Sequence, residues 1–330
     1  MTIRRDRLSD LLGRLPKARV LVIGDAMLDE YLVGDVDRIS PEAPVPVVRV
    51  RERRFALGGA ANVAMNVIAS GAGCRLVATV GSDAAGKQVS AMLVDAGVSG
   101  EGVLAIDGPT TRKTRVVARS QQLVRVDEED DSDLSPANQR RVMTAIESAL
   151  GSVDAVVLED YNKGVLVPDV IARTIELARK RKAPVIVDPK YRHFFAYKGA
   201  TVFKPNRREL DLALGAAIDV DHPEAVPSAI ERLDVDHLLL TLGERGMMLA
   251  SRNAPIRTVA TTAREVYDVV GAGDTVTAYL AGVLAVGGTV EEAAVIANYA
   301  AGVEVGKFGA ATVAPDEILE AFDDATPAAG

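Results

Sequence analysis

Short apolar runs alternate with helical segments along most of this chain. The runs Arg19–Ile23, Leu76–Val80, Ala155–Leu158, Pro184–Val187 and His237–Leu242 are almost unbroken in Val, Ile and Leu. That composition suits strands covered on both faces, which a parallel sheet requires. Helices are predicted at Ala60–Ser70, Pro136–Leu150, Pro168–Arg181, Asp274–Val286 and Val290–Gly302. Pro136 and Pro168 stand where a first helical turn tolerates proline, because its missing N–H would be unpaired there anyway. Alternation of this kind predicts an α/β architecture, a mostly parallel sheet with helices on both sides.

Two stretches break the rhythm. Residues 31–55 hold Ile39-Ser40-Pro41-Glu42-Ala43-Pro44-Val45-Pro46 and then the alternating Val47-Val48-Arg49-Val50-Arg51, and residues 111–126 read as a hairpin turning near Arg119–Gln122. Both have strand character without an intervening helix, so they are placed in a small separate sheet, at about 31–55 and 108–127. The run Asp127–Asp133, six acidic residues of seven, reads as a solvated loop. The tail from Ala325 to Gly330 reads as frayed.

Composition narrows the partners. The 330 residues carry a net charge of −8 and 4% aromatics with no Trp, a poor match to phosphate-backbone or base-stacking recognition of nucleic acid. Cys74 is the single cysteine, so neither a disulfide within the chain nor a cysteine zinc site is available, and a reducing, cytoplasmic setting is expected. The most apolar stretch, Thr275–Val290, is too short and too rich in Gly and Thr for a membrane span of about 30 Å.

Chemistry concentrates at Val269-Val270-Gly271-Ala272-Gly273-Asp274, followed by an apolar helix. Small residues admit a ligand close to the backbone, and the free amides of a helix N-terminus favour an anion. Asp274 could be a plain helix cap. In phosphoryl transfer it would instead accept the hydroxyl proton while the amides hold charge on the moving group. Gly58-Gly59-Ala60-Ala61-Asn62 also opens a helix, with Asn62 able to donate to and accept from a hydroxylated ligand; a tight packing turn explains it equally well.

These two segments resemble the paired signatures of the ribokinase-like (PfkB) carbohydrate kinases, and the resemblance runs from Val20 to about Pro315. More narrowly, Gly24-Asp25-Ala26-Met27-Leu28-Asp29, the Arg38–Val48 stretch, Gln121–Asp127, Asp160-Tyr161-Asn162-Lys163-Gly164 and Glu265-Val266-Tyr267-Asp268 look like the heptose-7-phosphate kinases of lipopolysaccharide core synthesis. The resemblance implies one kinase domain over 1–330, an α/β/α sandwich with a small β-sheet lid. It also implies ATP-dependent phosphorylation of D-glycero-β-D-manno-heptose 7-phosphate at the anomeric hydroxyl. A kinase for another sugar, or a non-catalytic regulator of the same fold, is the alternative.

Carried over by position, Asp274 is the catalytic base and Gly271, Ala272 and Gly273 its anion hole. Asn206 and Glu209 match the NxxE motif on the ATP side, where Glu209 organises Mg²⁺ through water; without the resemblance they read as a helix capping box. Thr241, Gly243 and Gly246 match the turn under the nucleotide, with Lys190 and Asn298 added to the ATP set. Substrate contacts are expected from Asp25, Asp29, Gly58, Gly59, Asn62, Asn162 and Lys163. Residues 108–126 hold Arg112, Lys113, Arg115, Arg119 and Arg125 and no acidic residue, and Lys113 and Arg115 would share a strand face if the strand is regular. They are expected to grip the sugar's phosphate, although charge that merely protects an edge strand would look the same. The resemblance further implies ATP and Mg²⁺, a possible monovalent cation, a homodimer through the lid, and a separate downstream nucleotidyltransferase. Three features are set aside: Gly81–Lys87 fits GxxxxGK but Gln88 replaces the Mg²⁺-binding hydroxyl; His193, His222 and His237 lack metal-site spacing; Cys74 is a packing residue.

Overall fold

A computed structural model describes the chain except residues 119, 120, 253, 264, 265 and 326–330, so the tip of the 111–126 hairpin and the predicted tail beyond Ala325 lie outside the described residues, while Ala325 itself ends a helix. The strands are β1 (Arg19–Ile39), β2 (Pro46–Gly59), β3 (Gly73–Gly81), β4 (Val103–Ile106), β5 (Arg112–Ala118), β6 (Gln121–Glu128), β7 (Ala155–Glu159), β8 (Val185–Asp188), β9 (Val202–Phe203), β10 (His237–Thr241), β11 (Met247–Ser251) and β12 (Arg257–Val259). The helices are α1 (Arg5–Arg14), α2 (Ala60–Ala69), α3 (Ala84–Asp95), α4 (Pro136–Leu150), α5 (Pro168–Lys180), α6 (Arg207–Leu214), α7 (Val226–Leu233), α8 (Ala272–Ala285), α9 (Val290–Glu304) and α10 (Pro315–Ala325).

The main sheet runs in the order β12-β11-β10-β9-β8-β7-β1-β3-β4. From β10 to β4 every neighbouring pair is parallel; β11 and β12 add an antiparallel edge. Its apolar strands feed two cores, as side-chain alternation demands. Val20 and Val22 point into the layer of α2, α8 and α9. Leu21 and Ile23 point into the layer of α4, α5 and α7. The predicted mostly parallel sheet with helices on both faces is therefore observed.

The second sheet is not separate from the first, as the pattern had suggested. β1 is a single strand of 21 residues. Up to Asp25 it pairs with β3 and β7 in the main sheet; from Ala26 it pairs with β2, and from Leu28 with β5, which in turn pairs with β6. The predicted break after Ile23 fails because the apolar run stops where one sheet hands over to the other, not where the strand ends. Chain order reverses between β7 and β1, and ligands of open α/β sheets bind at the carboxyl ends of strands beside such a switch. The lid grows out of the same point.

Candidate active site

The turn into α8 is fixed by glycine. Gly271 takes φ +98°, and a Cβ there would stand 3.1 Å from Glu304 Oε1 and 3.2 Å from both the Ala310 Cα and Asn62 Nδ2. The first helical hydrogen bond runs from Thr275 N to Gly271 O at 2.9 Å, so the amides of Ala272, Gly273 and Asp274 precede any intrahelical partner. The Asp274 carboxylate is buried and accepts hydrogen bonds from Asn62 Nδ2 at 2.6 Å and from the Tyr161 hydroxyl at 3.1 Å. Burial pushes its pKa up to about 6, the Asn62 hydrogen bond opposes this, and the Asp188 charge adds to it. Asn62 is delivered by α2, which begins after Gly59 at φ +58°, where a Cβ would lie 2.3 Å from the Asp25 carbonyl. Thr275 donates to Asn66 Oδ1 at 3.0 Å and stitches α2 to α8.

Three further groups meet Asp274 at the strand ends, and the sequence reading missed them. Glu159, Asp188 and Asp274 bring carboxylate oxygens within 4.8 Å of one another. Glu159 and Asp188 are the last residues of β7 and β8. The predicted strands stopped one residue short of each; acidic residues at the carboxyl ends of parallel strands were the available signal. Glu159 has no hydrogen-bond partner among the described residues, and burial holds its carboxyl well above the usual range, with Asp188 and Asp274 adding to the effect. Lys204 Nζ donates to Asp188 Oδ2 at 2.8 Å in full burial. Burial works against that ammonium, and Asp188 and Glu159 outweigh it. A Cβ on Gly273 would sit 3.6 Å from both Asp188 Oδ2 and Lys204 Nζ, so this pair lies directly beneath the α8 turn. These oxygens are of the type Mg²⁺ takes, and Asp188, already facing the Lys204 ammonium on one oxygen, is the member of the trio left to hold it once Asp274 serves as base.

Under the lid a cavity of about 220 Å³ joins Asp274 and Gly271 to Asp29, Gly58, Gly59, Asn62, Lys113 and Arg115, with Met27, Arg125, Tyr161, Val270 and Ala310 completing the wall. Eight of the expected catalytic and substrate residues thus share one space. Lys113 and Arg115 do lie on one face of β5, Arg115 held to Asp29 at 2.5 Å and stacked 5.3 Å from the Tyr31 ring centroid.

Other expected residues lie elsewhere. Asp25 accepts the backbone amides of Tyr161 (2.8 Å), Lys163 (2.9 Å) and Val165 (3.2 Å), so its carboxylate clamps the loop after β7. Asn162 takes φ +55°; its amide bonds to Asp160 and its side-chain oxygen accepts from Arg192 N. Lys163 pairs with Glu129 and Asp131. Asn206 and Glu209 form the capping box of α6, the reading they have without the resemblance, and Glu209 also accepts Lys190 Nζ at 2.8 Å. Thr241 is bridged to Asn206, while Gly243 and Gly246 hold the tight turn after β10; a Cβ on Gly246 would strike the Val259 carbonyl at 2.1 Å, whereas Gly243 faces open space. Asn298 donates to the Ala260 carbonyl at 2.9 Å and so braces a loop.

The acidic run is exposed, as predicted, and beyond β6 it is a loop; the charge pattern did not show that Asp127, Glu129 and Asp131 are tied to Arg125, Lys113 and Lys163. Gly81–Lys87 is filled from within, because Asp83 takes Gly86 N at 2.8 Å and Thr110 Oγ1 at 2.7 Å. His237 bonds to Ser251, and burial pushes the Cys74 thiol up to about 12. Among the described residues no helix is long and apolar enough to cross a membrane.

The doubly wound sheet brings a buried carboxylate at a glycine-framed helix end, two further buried carboxylates and the lid's cations to its strand ends, and the family match makes the class a phosphotransferase. The chain belongs to the pfkB family of carbohydrate kinases, whose family model matches residues 17–317. It is 46% identical over 320 residues to the bifunctional protein HldE of Pelobacter propionicus, covering 96% of this chain and 66% of that protein. Similarity to the Rhodospirillum rubrum HldE is 43% over 317 residues, covering 95% and 64%. The chain therefore spans just under two thirds of the length of these relatives. By structure it is similar to Arabidopsis thaliana ribokinase complexed with ribose and ATP (TM-score 0.72, 20% identity, 92% of this chain and 98% of that one). It is likewise similar to Escherichia coli phosphofructokinase-2 in complex with potassium (TM-score 0.76, 18% identity, 93% and 98%). The ribokinase-like fold is thereby shown.

Proposed function

We propose that this chain transfers the γ-phosphoryl group of ATP to the anomeric hydroxyl of D-glycero-β-D-manno-heptose 7-phosphate, forming the 1,7-bisphosphate and ADP on the route to ADP-heptose. One observation carries the reading: a single cavity joins Asp274 and the Gly271 turn that opens α8 to Lys113, Arg115 and Arg125. A base and an anion hole serve the transfer, and the cations suit a substrate that already bears a phosphate. Similarity to the HldE proteins and the Arg38–Val48 stretch favour the heptose over other sugars.

Asp274, ionised at neutral pH, takes the proton of the attacking hydroxyl, and Asn62 and Tyr161 hold the carboxylate in line. The amides of Ala272, Gly273 and Asp274 face the moving phosphoryl group, where preorganised donors stabilise developing charge. Asp188 and Glu209 are the residues that would hold a Mg²⁺ arriving with ATP, which would neutralise charge on the phosphates. The lid covers the cavity and keeps water from the phosphoryl group. Apolar side chains exposed on the lid, among them Ile39, Val45, Val50, Val124 and Val126, support a homodimer through it.

ATP consumption by the purified chain tests the substrate. A panel of sugars with and without a terminal phosphate should give the highest kcat/KM for heptose 7-phosphate. Preference for a fructose phosphate or for free ribose would overturn the assignment.

A further inference from the structure

Among the described residues, every cation that lines the lid cavity already has a carboxylate, and so does Lys163, which lines the neighbouring cavity beside Asp25. Arg115 is held by Asp29, and Arg125 by Asp127 at 2.9 Å. Asp127 stands opposite Lys113 in the β5–β6 ladder, 3.7 Å from its Nζ. Glu129 lies between two ammonium groups, 3.2 Å from Lys113 Nζ and 3.0 Å from Lys163 Nζ. The side chains of Lys113 and Lys163 are only 16% and 12% exposed, against 27% for Glu129, so this is not a surface pair free in solvent. The segment is tethered further along: Lys163 pairs with Asp131, and Arg192 reaches the Asp131 carbonyl and, at 3.3 Å, the Asp133 carboxylate.

We propose that Glu129 is a specificity-determining residue: it occupies, in the sugar-free enzyme, the place at Lys113 and Lys163 that the substrate's phosphate takes, and the phosphate displaces it. This rests on reading the cavity as the site of a phosphate-bearing sugar. A phosphate carries up to two charges and three acceptor oxygens against the single charge of a carboxylate, so it can replace Glu129 on the two lysines. A sugar hydroxyl carries no charge and cannot. An unphosphorylated sugar therefore meets a wall whose cations stay neutralised, which is discrimination by an internal competitor.

The test compares Glu129→Gln with wild type in the full chain. The KM for heptose 7-phosphate should fall by about threefold to tenfold, with Glu129→Asp close to wild type and Asp131→Asn shifted less in the same direction. Adding Lys113→Met and Lys163→Met should abolish the gain. Calorimetric binding of glycerol 3-phosphate, a phosphate monoester used without any sugar substrate, should tighten by the same factor in Glu129→Gln. Binding that is unchanged or weaker in Glu129→Gln overturns the proposal and makes Glu129 a support for the lysines, even if heptose 7-phosphate is turned over. Tighter binding without turnover of heptose 7-phosphate upholds the counter-ion role and sinks the substrate assignment instead.

Discussion

The helix end that carries Asp274 and the lid that carries Lys113 face the same cavity but are built on opposite terms. At α8 the geometry is set by backbone: Gly271 at φ +98°, a buried carboxylate, and two neutral donors fixed by α2 and the loop after β7. In the lid, β6 is exposed along its whole length and the cations are held by exchangeable ion pairs. Chemistry that must not reorganise is placed on the packed side, because donors already aimed at developing charge stabilise it without moving. Recognition that must open and close is placed on charges that solvent and substrate can compete for.

The comparison can be broken from either side. Gly271→Ala introduces a Cβ 3.1 Å from Glu304 and 3.2 Å from backbone at Ala310 at an unfavourable φ. Steady-state assays should show kcat down by about 100-fold, and a loss under threefold would mean that the turn does not hold the phosphoryl group. On the lid side, Lys113→Met should raise the KM for the sugar phosphate by about tenfold while the KM for ATP stays put; an equal rise in both would assign Lys113 a general structural role.

The pH dependence should come from the packed side. With Asp274 at about pKa 6, its proton-accepting form is lost on acidification, so kcat at saturating substrates should drop below pH 6. A flat profile from pH 7 to pH 5 would contradict this. The smallest effect concerns stability. A carboxyl whose folded pKa lies above its ordinary value of 3.8 binds its proton more readily in the native state, so raising the pH from about 4 to 6 weakens the fold, and the cost is complete above that range. Asp274→Asn should therefore be more stable than wild type at pH 7.5, by about 1 kcal/mol in denaturant titration. Equal stability at pH 7.5 would show that Asn62 and Tyr161 fully compensate the burial.

Much of the layout was legible. Apolar runs marked strands that lie between two helical layers, and the prolines at 136 and 168 marked helix starts to the residue. Gly271–Asp274 and Gly58–Asn62 were visible because close backbone approach requires small residues. What escaped is non-local. Glu159, Asp188 and Lys204 come from three separate strand ends, and nothing in their immediate neighbours shows that the sheet order brings them under one helix. Asp25 and Asp29 look alike in sequence, yet they fall on either side of the handover from main sheet to lid: Asp25 clamps a loop, and Asp29 lines the cavity. Charge content marked the acidic run as solvated, which it is, but composition does not reveal that the β5–β6 register sets Lys113 against it or that the loop after β7 brings Lys163.

The most direct test of the central claim is the turnover of Asp274→Asn with ATP and heptose 7-phosphate, measured beside calorimetric binding of both. The account predicts that both ligands bind with near wild-type affinity while kcat falls by about 10³-fold. A kcat within tenfold of wild type would contradict it.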